Sequence, residues 1–212
     1  MANLRRVLLT AGAAMLAAPV LAQSARVLPG MTEGPFYPPR RWRDSFAGGG
    51  DWDADLTRTS GSGPARGEHL ALWLQVADAR GRAVDDADVE IWQCDALAAY
   101  RHPSVPLEPG RHDPAFQGFG AVRSARDGSL KLRTIRPVPY PGRTPHIHVT
   151  VRHPSFGELT SQLFVAGDPG NARDFLWRRL DAEAQGALAM TLMSAEGDGL
   201  RWQARHTLIV PA

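Results

Sequence analysis

The sequence predicts a mainly β protein, a β-sandwich with a long irregular N-terminal arm and little helix. Short segments of alternating apolar and polar residues recur after residue 68, and turn signals such as Asp127-Gly128 separate them. The stretch before them, residues 23–67, is rich in Gly, Pro, Arg and Asp and has neither a helical nor a strand period. Because 212 residues suit one well-buried domain, we assign the sandwich to residues 68–212 and the arm to residues 23–67.

The strands can be assigned in chain order. In residues 70–76 every second residue is Leu or Val, and Asp78–Gly81 closes this first strand with a turn. Further strands are expected at Val89–Trp92, Leu130–Ile135, His146–Val151, Leu159–Val165 and Thr207–Val210. Between Asn171 and about Met190, leucines and a phenylalanine stand among charged residues, a pattern that favours some helix.

Residues 1–22 have the pattern of an export signal. Arg5 and Arg6 are followed by an Ala/Leu/Val-rich stretch and by small residues that suit cleavage near Gln23. The paired arginines favour the twin-arginine route. A membrane anchor is the alternative, but the apolar run is short and contains Gly12 and Pro19. We therefore expect an exported protein, periplasmic or secreted, without a stable membrane anchor.

Composition narrows the class of partner. Hydrophobic residues make up 43% of the chain and charged residues 22%, as in ordinary globular proteins. Without Arg5 and Arg6 the chain carries 22 basic and 22 acidic side chains, Lys131 is its single lysine, and no stripe of basic residues is interleaved with aromatics. Nucleic acid is therefore not an expected partner. Cys94 stands alone, so it cannot form an internal disulfide, and we expect it to be buried.

A His-x-His pair is the sharpest local signal. His146 and His148 alternate on a predicted strand, so their side chains share one face, with backbones about 7 Å apart, and both imidazoles can reach one metal ion. The alternative is a pair of surface or hydrogen-bonded core histidines. The cupin pattern fails because Glu158 is ten residues from His148, and the two-His-one-carboxylate pattern fails because it needs His-x-Asp or His-x-Glu. Zinc would need a third histidine, and none of the candidates has a zinc spacing: His69, His102, His112, His153 and His206.

Tyr140 lies six residues before His146, in a proline-rich and therefore stiff segment. A phenol with an ordinary pKa near ~10 is a poor ligand at neutral pH unless a strongly charged cation such as Fe(III) ionises it. A tyrosine beside proline also occurs as simple packing.

Five ordered blocks carry a resemblance to a known family. They are TEGPFYPP at Thr32–Pro39, VEIWQ at Val89–Gln93, RTIRPVPYP at Arg133–Pro141, PHIH at Pro145–His148 and SQLF at Ser161–Phe164. Together they resemble the intradiol ring-cleavage dioxygenases over most of the chain between Met31 and Asp168. The absence of a long helical N-terminal region makes the chain more similar to the shorter catalytic subunits of protocatechuate 3,4-dioxygenase and their exported relatives.

The resemblance implies Fe(III) held by Tyr100, Tyr140, His146 and His148. It further implies that Tyr140 leaves the metal as substrate binds, that Arg143 stabilises negative charge on the substrate, and that Gln162 lines the same pocket. A surface arginine and an ordinary strand glutamine are the alternatives for the last two. The implied reaction uses O2 to cleave a catechol-type aromatic ortho-diol, such as catechol or protocatechuate, to a muconate-type dicarboxylate without an organic cofactor.

The chain departs from the family pattern before Tyr100, where Ala98-Ala99 replaces the usual Gly-Arg pair. The change concerns the shape of the loop before Tyr100. One alternative to an active enzyme is therefore an iron-binding relative that has lost ring-cleavage activity. A second alternative is an exported, non-catalytic β-sandwich that binds a carbohydrate or a protein. The sequence leaves the oligomeric state open, whether monomer, homo-oligomer or hetero-oligomer.

Overall fold

The computed structural model describes residues 26–39, 51–106 and 108–211. These residues form two β-sheets, which confirms the predicted β-sandwich with little helix. Its strands are β1 (His69–Asp78), β2 (Asp88–Trp92), β3 (Phe119–Arg123), β4 (Ser129–Ile135), β5 (His146–His153), β6 (Gly157–Val165), β7 (Ala189–Met190), β8 (Leu192–Ser194) and β9 (Trp202–Val210), and the helix α1 spans Ala182–Leu188.

The described strands pair as a four-stranded sheet in the order β4-β1-β9-β8 and a five-stranded sheet in the order β3-β2-β5-β6-β7. In the five-stranded sheet β5 is central and antiparallel to both neighbours, so that His148 lies opposite Trp92 on β2 and opposite Gln162 on β6. This register places the side chains of all three residues on one face of the sheet.

The core lies between the inner faces of the two sheets. Leu70, Leu72, Leu74 and Val76 of β1 are buried with Ile147, Val149 and Val151 of β5 in one apolar cluster. Because side chains alternate along a strand, the inward-facing Ile147 fixes His146 and His148 on the opposite, outer face. Burial of the apolar set thereby determines the direction of the histidine pair.

Some elements differ from the sequence prediction. β3 was not predicted, because Gly118 and Gly120 interrupt its apolar pattern. Gly120 has a packing role, since a Cβ atom there would overlap the carbonyl oxygen of Asp53 in the arm. The strands β7 and β8 are too short to show a period.

Helix in the expected 171–190 stretch is limited to α1 and to single 3-10 turns at Asn171–Arg173 and Trp177–Arg179. The Asp181 carboxylate begins α1 by accepting a hydrogen bond from the Ala184 amide at 2.7 Å.

The described part of the arm runs along the sandwich without regular structure of its own. The amide of Leu28 donates to the carbonyl of Ile209 at 2.9 Å, and that of Met31 donates to Thr160 at 2.8 Å. The export signal predicted for residues 1–22, and residues 40–50 of the arm, lie outside the described residues. Among the residues described, no helix has the length and hydropathy needed to span a membrane.

Candidate metal centre

The two histidines predicted on one strand meet a tyrosine from a distant loop. On β5, Nε2 of His146 lies 3.2 Å from Nε2 of His148. The hydroxyl of Tyr100, at the end of the loop after β2, lies 3.1 Å from the same His148 nitrogen. Three potential donor atoms therefore converge on the outer face of the five-stranded sheet.

Tyr140 completes the cluster from a separate turn. Its ring centroid lies 5.6 Å from that of Tyr100 and 5.5 Å from that of His146. The turn is closed by the Arg143 amide, which donates to the Tyr140 carbonyl at 2.9 Å, and it includes Gly142 with φ of 83°. The structure thus brings together all four side chains that the resemblance implied as metal ligands.

Burial holds the two phenols in their neutral forms. Tyr100 is only 5% exposed, and burial raises its pKa well above the ordinary value. The pKa of Tyr140 is also raised, chiefly by burial, although Arg143 acts in the opposite direction. A phenolate in this site therefore needs a cation closer or more highly charged than Arg143.

The two imidazoles are neutral for the same reason. Burial lowers the pKa of His146 to about 4 and takes that of His148 well below its usual range, with the nearby Arg143 as a further cause for both. Neutral imidazole is the form that binds metals.

Hydrogen bonds distinguish the two histidines. Nδ1 of His146 lies 2.7 Å from the carbonyl oxygen of Thr144, which as an acceptor fixes the proton on Nδ1 and leaves the Nε2 lone pair facing the cluster. Nδ1 of His148 is buried without a hydrogen-bond partner among the described residues. His148 is held by packing instead, since its ring stacks on Trp92 at 4.7 Å between centroids and 11° between planes.

The donor set suits a hard, highly charged metal ion. Two phenol oxygens and two imidazole nitrogens would become two anionic and two neutral ligands, which fit Fe(III) better than a softer ion. Within the described ranges no group of three or more His, Cys, Asp or Glu side chains could hold a metal, so no third histidine joins the pair as a zinc site would require.

Arg143 and Gln162 also lie at this cluster. The guanidinium of Arg143 donates from Nη2 to Oε1 of Gln162 at 2.5 Å and from Nη1 to the Tyr140 hydroxyl at 3.4 Å. Its side chain is 9% exposed, so it is a buried cation rather than the surface arginine that was the alternative.

Asp174 is a residue of the site that sequence analysis missed. Its fully buried carboxylate accepts a hydrogen bond from Nε of Arg143 at 2.8 Å and from the Thr144 amide at 3.0 Å. Its other oxygen caps the amides of Leu176 and Trp177. Burial acts to raise the pKa of Asp174, but these hydrogen bonds and the Arg143 charge lower it overall. No spacing could have indicated it, because 31 positions separate it from Arg143.

A cavity of about 310 Å³ opens beside Tyr140. It is lined by Tyr140, Arg143 and Asp174 together with Pro139, Gly142, Thr144, Gly170 and Arg173. Through this cavity a small molecule can reach the phenol of Tyr140, which is less buried than that of Tyr100.

The loop before Tyr100 has an unusual backbone. Ala98 has φ of 64°, in the left-handed region where glycine is normally favoured. The carboxylate of Asp95 stabilises the turn by accepting the amides of Leu97 and Ala99 at 2.8 and 2.9 Å. The turn therefore holds a left-handed residue, Ala98, at the position where the family pattern has glycine.

Cys94 lies beneath this loop. Its side chain is buried, as expected, with Sγ 3.7 Å from the carbonyl oxygen of Val138, and burial raises its pKa to about 12. The thiol is therefore neutral and packs as an apolar group.

Comparisons with known proteins identify the family that this chain resembles. A family model described as Dioxygenase matches residues 34–204. The protocatechuate 3,4-dioxygenase beta chain of Burkholderia cepacia is 34% identical over 134 residues, which are 59% of this chain and 57% of that protein. Catechol 1,2-dioxygenase of Acinetobacter baylyi is 28% identical over 167 residues, covering 70% of this chain and 50% of that protein. The chain thus spans about half the length of these curated relatives.

Solved structures show the same architecture. The dioxygenase domain of a Streptomyces dioxygenase carbohydrate-binding protein fusion superposes with a TM-score of 0.63 at 28% identity, covering 88% of this chain and 99% of that one. An intradiol ring-cleavage dioxygenase from Tetranychus urticae superposes with a TM-score of 0.62 over 88% of this chain and 94% of its own, and at 18% identity it shows the fold alone.

Proposed function

This chain belongs to the intradiol ring-cleavage dioxygenase family, and on that premise we propose that it opens aromatic ortho-diols between their two hydroxylated carbons. Both atoms of O2 enter the product, a muconate-type dicarboxylic acid. The observation that carries the proposal is the convergence of Tyr100, Tyr140, His146 and His148 beside the buried cation Arg143.

The proposed cofactor is Fe(III), held by those two tyrosines and two histidines. When bound, ferric iron would supply the Lewis acidity that ionises a vicinal diol and the electron demand that makes its ring reactive towards O2. The neutral imidazoles and the clustered phenols support this assignment, since only a strongly charged cation offsets the burial of two phenolates.

We assign Tyr140 as the residue that accepts a proton from the substrate. It is less buried than Tyr100 and lines the cavity, so a diol can reach its oxygen. A tyrosinate that takes up a proton from the diol becomes a neutral phenol, the form that its burial favours.

Arg143 stabilises the negative charge that develops on the ring oxygens during cleavage. Its guanidinium is fixed by Asp174 on one side and by Gln162 on the other, so it needs little reorganisation when charge develops. Gln162 serves as the neutral partner that orients the donors of Arg143.

The proposed substrate class follows from what the relatives' names share. Protocatechuate, catechol and hydroxyquinol are the substrates named for three of them, and each carries two adjacent ring hydroxyls. We therefore assign vicinal aromatic diols and O2 as the substrates of this chain.

An oxygen-electrode assay tests the proposal. Iron-loaded protein is given catechol, protocatechuate and hydroxyquinol, with the meta-diol resorcinol as the matched control, and products are identified by mass. We expect oxygen uptake with at least one ortho-diol, none with resorcinol, and a product heavier than its substrate by one O2. A folded protein that binds no iron and consumes no oxygen would favour the non-catalytic binding module, whereas an iron-binding protein without oxygen uptake would favour an inactive relative.

We also propose that the protein acts outside the cytoplasm. The export pattern of residues 1–22 supports this location. Intact mass of the protein recovered from the extracytoplasmic fraction should give a mature N-terminus near Gln23, and a full-length chain confined to the cytoplasm would contradict the proposal.

A further inference from the structure

Two consecutive aromatic residues of the N-terminal arm cover the metal-binding face from outside. The ring of Phe36 stacks on the ring of Tyr100 at 4.6 Å between centroids and 21° between planes. The ring of Tyr37 meets Trp92 edge-on at 4.8 Å, and Trp92 in turn stacks on His148. Each aromatic residue of the pair therefore supports a different candidate ligand.

A partly buried polar cage anchors the second of these rings, that of Tyr37. The hydroxyl of Tyr37 donates to Oε2 of Glu90 at 2.6 Å and accepts a hydrogen bond from Nη2 of Arg152 at 2.8 Å. Arg152 and Glu90 also form an ion pair at 3.0 Å, with the Glu90 side chain 5% exposed. Because charge-assisted hydrogen bonds are about twice as strong as neutral ones, the cage fixes this point of the arm firmly.

The polar cage is built on β2 and β5, the strands that carry Trp92 and the candidate ligand His148. Glu90 lies two residues before Trp92 on β2, and Arg152 lies four residues after His148 on β5. Residues two and four apart on a strand share a face, so the anchor, Trp92 and His148 form one continuous row beneath the arm. Gly34 crosses directly above the row, since a Cβ atom there would lie 3.6 Å from Cε1 of His148.

His148 has a particular need for this support. A metal-bound histidine is usually oriented by a hydrogen bond from its second ring nitrogen, as the Thr144 carbonyl provides for His146. Nδ1 of His148 has no such partner in the described part of the chain, so ring packing is what sets its orientation.

We propose that the arm segment Gly34–Tyr37 is a positioning element of the metal centre, in which Phe36 orients Tyr100 and Tyr37 orients His148 through Trp92. The inference rests on the proposed function, since it assigns a role towards the iron. Phe36, Tyr37, Glu90 and Arg152 are not candidate ligands themselves, and they act through Tyr100 and His148.

Loss of iron to a chelator tests the inference. Iron-loaded wild type is compared with Tyr37→Phe, which keeps the ring but removes the hydroxyl from the cage, and with Phe36→Leu. The matched control is Phe116→Leu, because Phe116 is a buried core phenylalanine that stacks on neither ligand. Unfolding free energy, iron release and the visible tyrosinate-to-iron absorption are measured for each protein.

We expect both arm variants to release iron about 10-fold faster than wild type, as variants of residues behind a metal ligand do, with a shifted absorption maximum in Phe36→Leu. The control should lose more folding stability but release iron at the wild-type rate. Release within twofold of wild type in both arm variants, or equally fast release from the control, would overturn the inference alone. A wild-type protein that takes up no iron would overturn the proposed function, and this inference with it.

Discussion

Replacement of Asp174 by Asn should damage both stability and catalysis. The carboxylate is fully buried, and each of its oxygens accepts two hydrogen bonds: one from Arg143 Nε and the Thr144 amide, the other from the amides of Leu176 and Trp177. An asparagine has one carbonyl oxygen, so whichever pair of donors that oxygen serves, the other pair faces an NH2 group.

The expected loss of stability is about 3–5 kcal/mol, the range measured when one partner of a buried ion pair is removed. If the asparagine oxygen accepts the amides of Leu176 and Trp177, Arg143 loses its counter-charge. Its side chain should then turn away from Gln162. Turnover should then fall by about 100-fold or more, while the four candidate ligands and the iron they hold stay in place.

The sign of the pH dependence is set by the lowered pKa of Asp174. A carboxyl whose pKa is lower in the folded state contributes stability above the pKa of the unfolded chain, about 3.9, and that contribution is lost as pH falls through the folded pKa. The difference in unfolding free energy between wild type and Asp174→Asn should therefore be full at pH 7 and shrink below about pH 4.

Denaturant unfolding and steady-state oxygen uptake measure the two effects. Asp168→Asn is the matched control, because Asp168 accepts hydrogen bonds from Gly170 and Thr144 through one oxygen and does not contact Arg143. It should lose less than about 1 kcal/mol, since Asn can keep that oxygen in place. Stability within about 1 kcal/mol of wild type and unchanged turnover in Asp174→Asn would refute the assignment of Asp174 as the residue that holds Arg143.

Three further predictions concern single residues. Arg143→Ala should keep iron and the visible absorption band but lose about 100-fold to 1,000-fold in kcat, and unchanged turnover would remove Arg143 from the mechanism. Ala98→Gly should raise the unfolding free energy by about 0.5–1 kcal/mol, because relief of the left-handed strain at φ of 64° exceeds the entropy that glycine adds to the unfolded chain; a loss of stability would mean that Ala98 is not strained. His206 is buried, and burial lowers its pKa to about 4, so the unfolded chain takes up a proton between about pH 6.5 and 4 that the folded chain refuses. Stability should fall as the pH is lowered across that window, and His206→Gln should remove up to about 3 kcal/mol of that fall as seen in urea titrations; an unchanged pH dependence in His206→Gln would contradict the assignment.

The histidine pair was predictable from local sequence and the phenols were not. Strand alternation alone puts His146 and His148 on one face, because Ile147 between them must face the core. Tyr100 is separated from His148 by 48 positions, and its approach depends on how the loop after β2 folds back over the sheet. Local pattern could not supply that contact, so the prediction for Tyr100 came from the family resemblance.

Contacts between strands are the second kind of information that local sequence hides. No stripe of basic and aromatic residues exists along the chain, yet the register places Trp73 of β1 opposite Lys131 of β4 and Arg205 of β9. Both cations lie over the indole ring, at 4.6 and 5.1 Å from its centroid. The alternation of charge and ring runs across the sheet, where it becomes visible only once strand pairing is known.

The anchoring of the four candidate ligands separates metal binding from folding. The histidines are fixed by a strand whose other face is core, Tyr100 follows a turn held by Asp95, and Tyr140 lies in a turn closed by its own carbonyl. Burial keeps all four side chains uncharged, and neutral phenol and imidazole can hydrogen-bond to one another as Tyr100 and His148 do. Among the described residues, this site therefore buries no unpaired charge in the absence of a metal ion. Since the fold does not depend on the metal to offset such a charge, a variant that loses iron faster without losing stability reports on the positioning of the ligands.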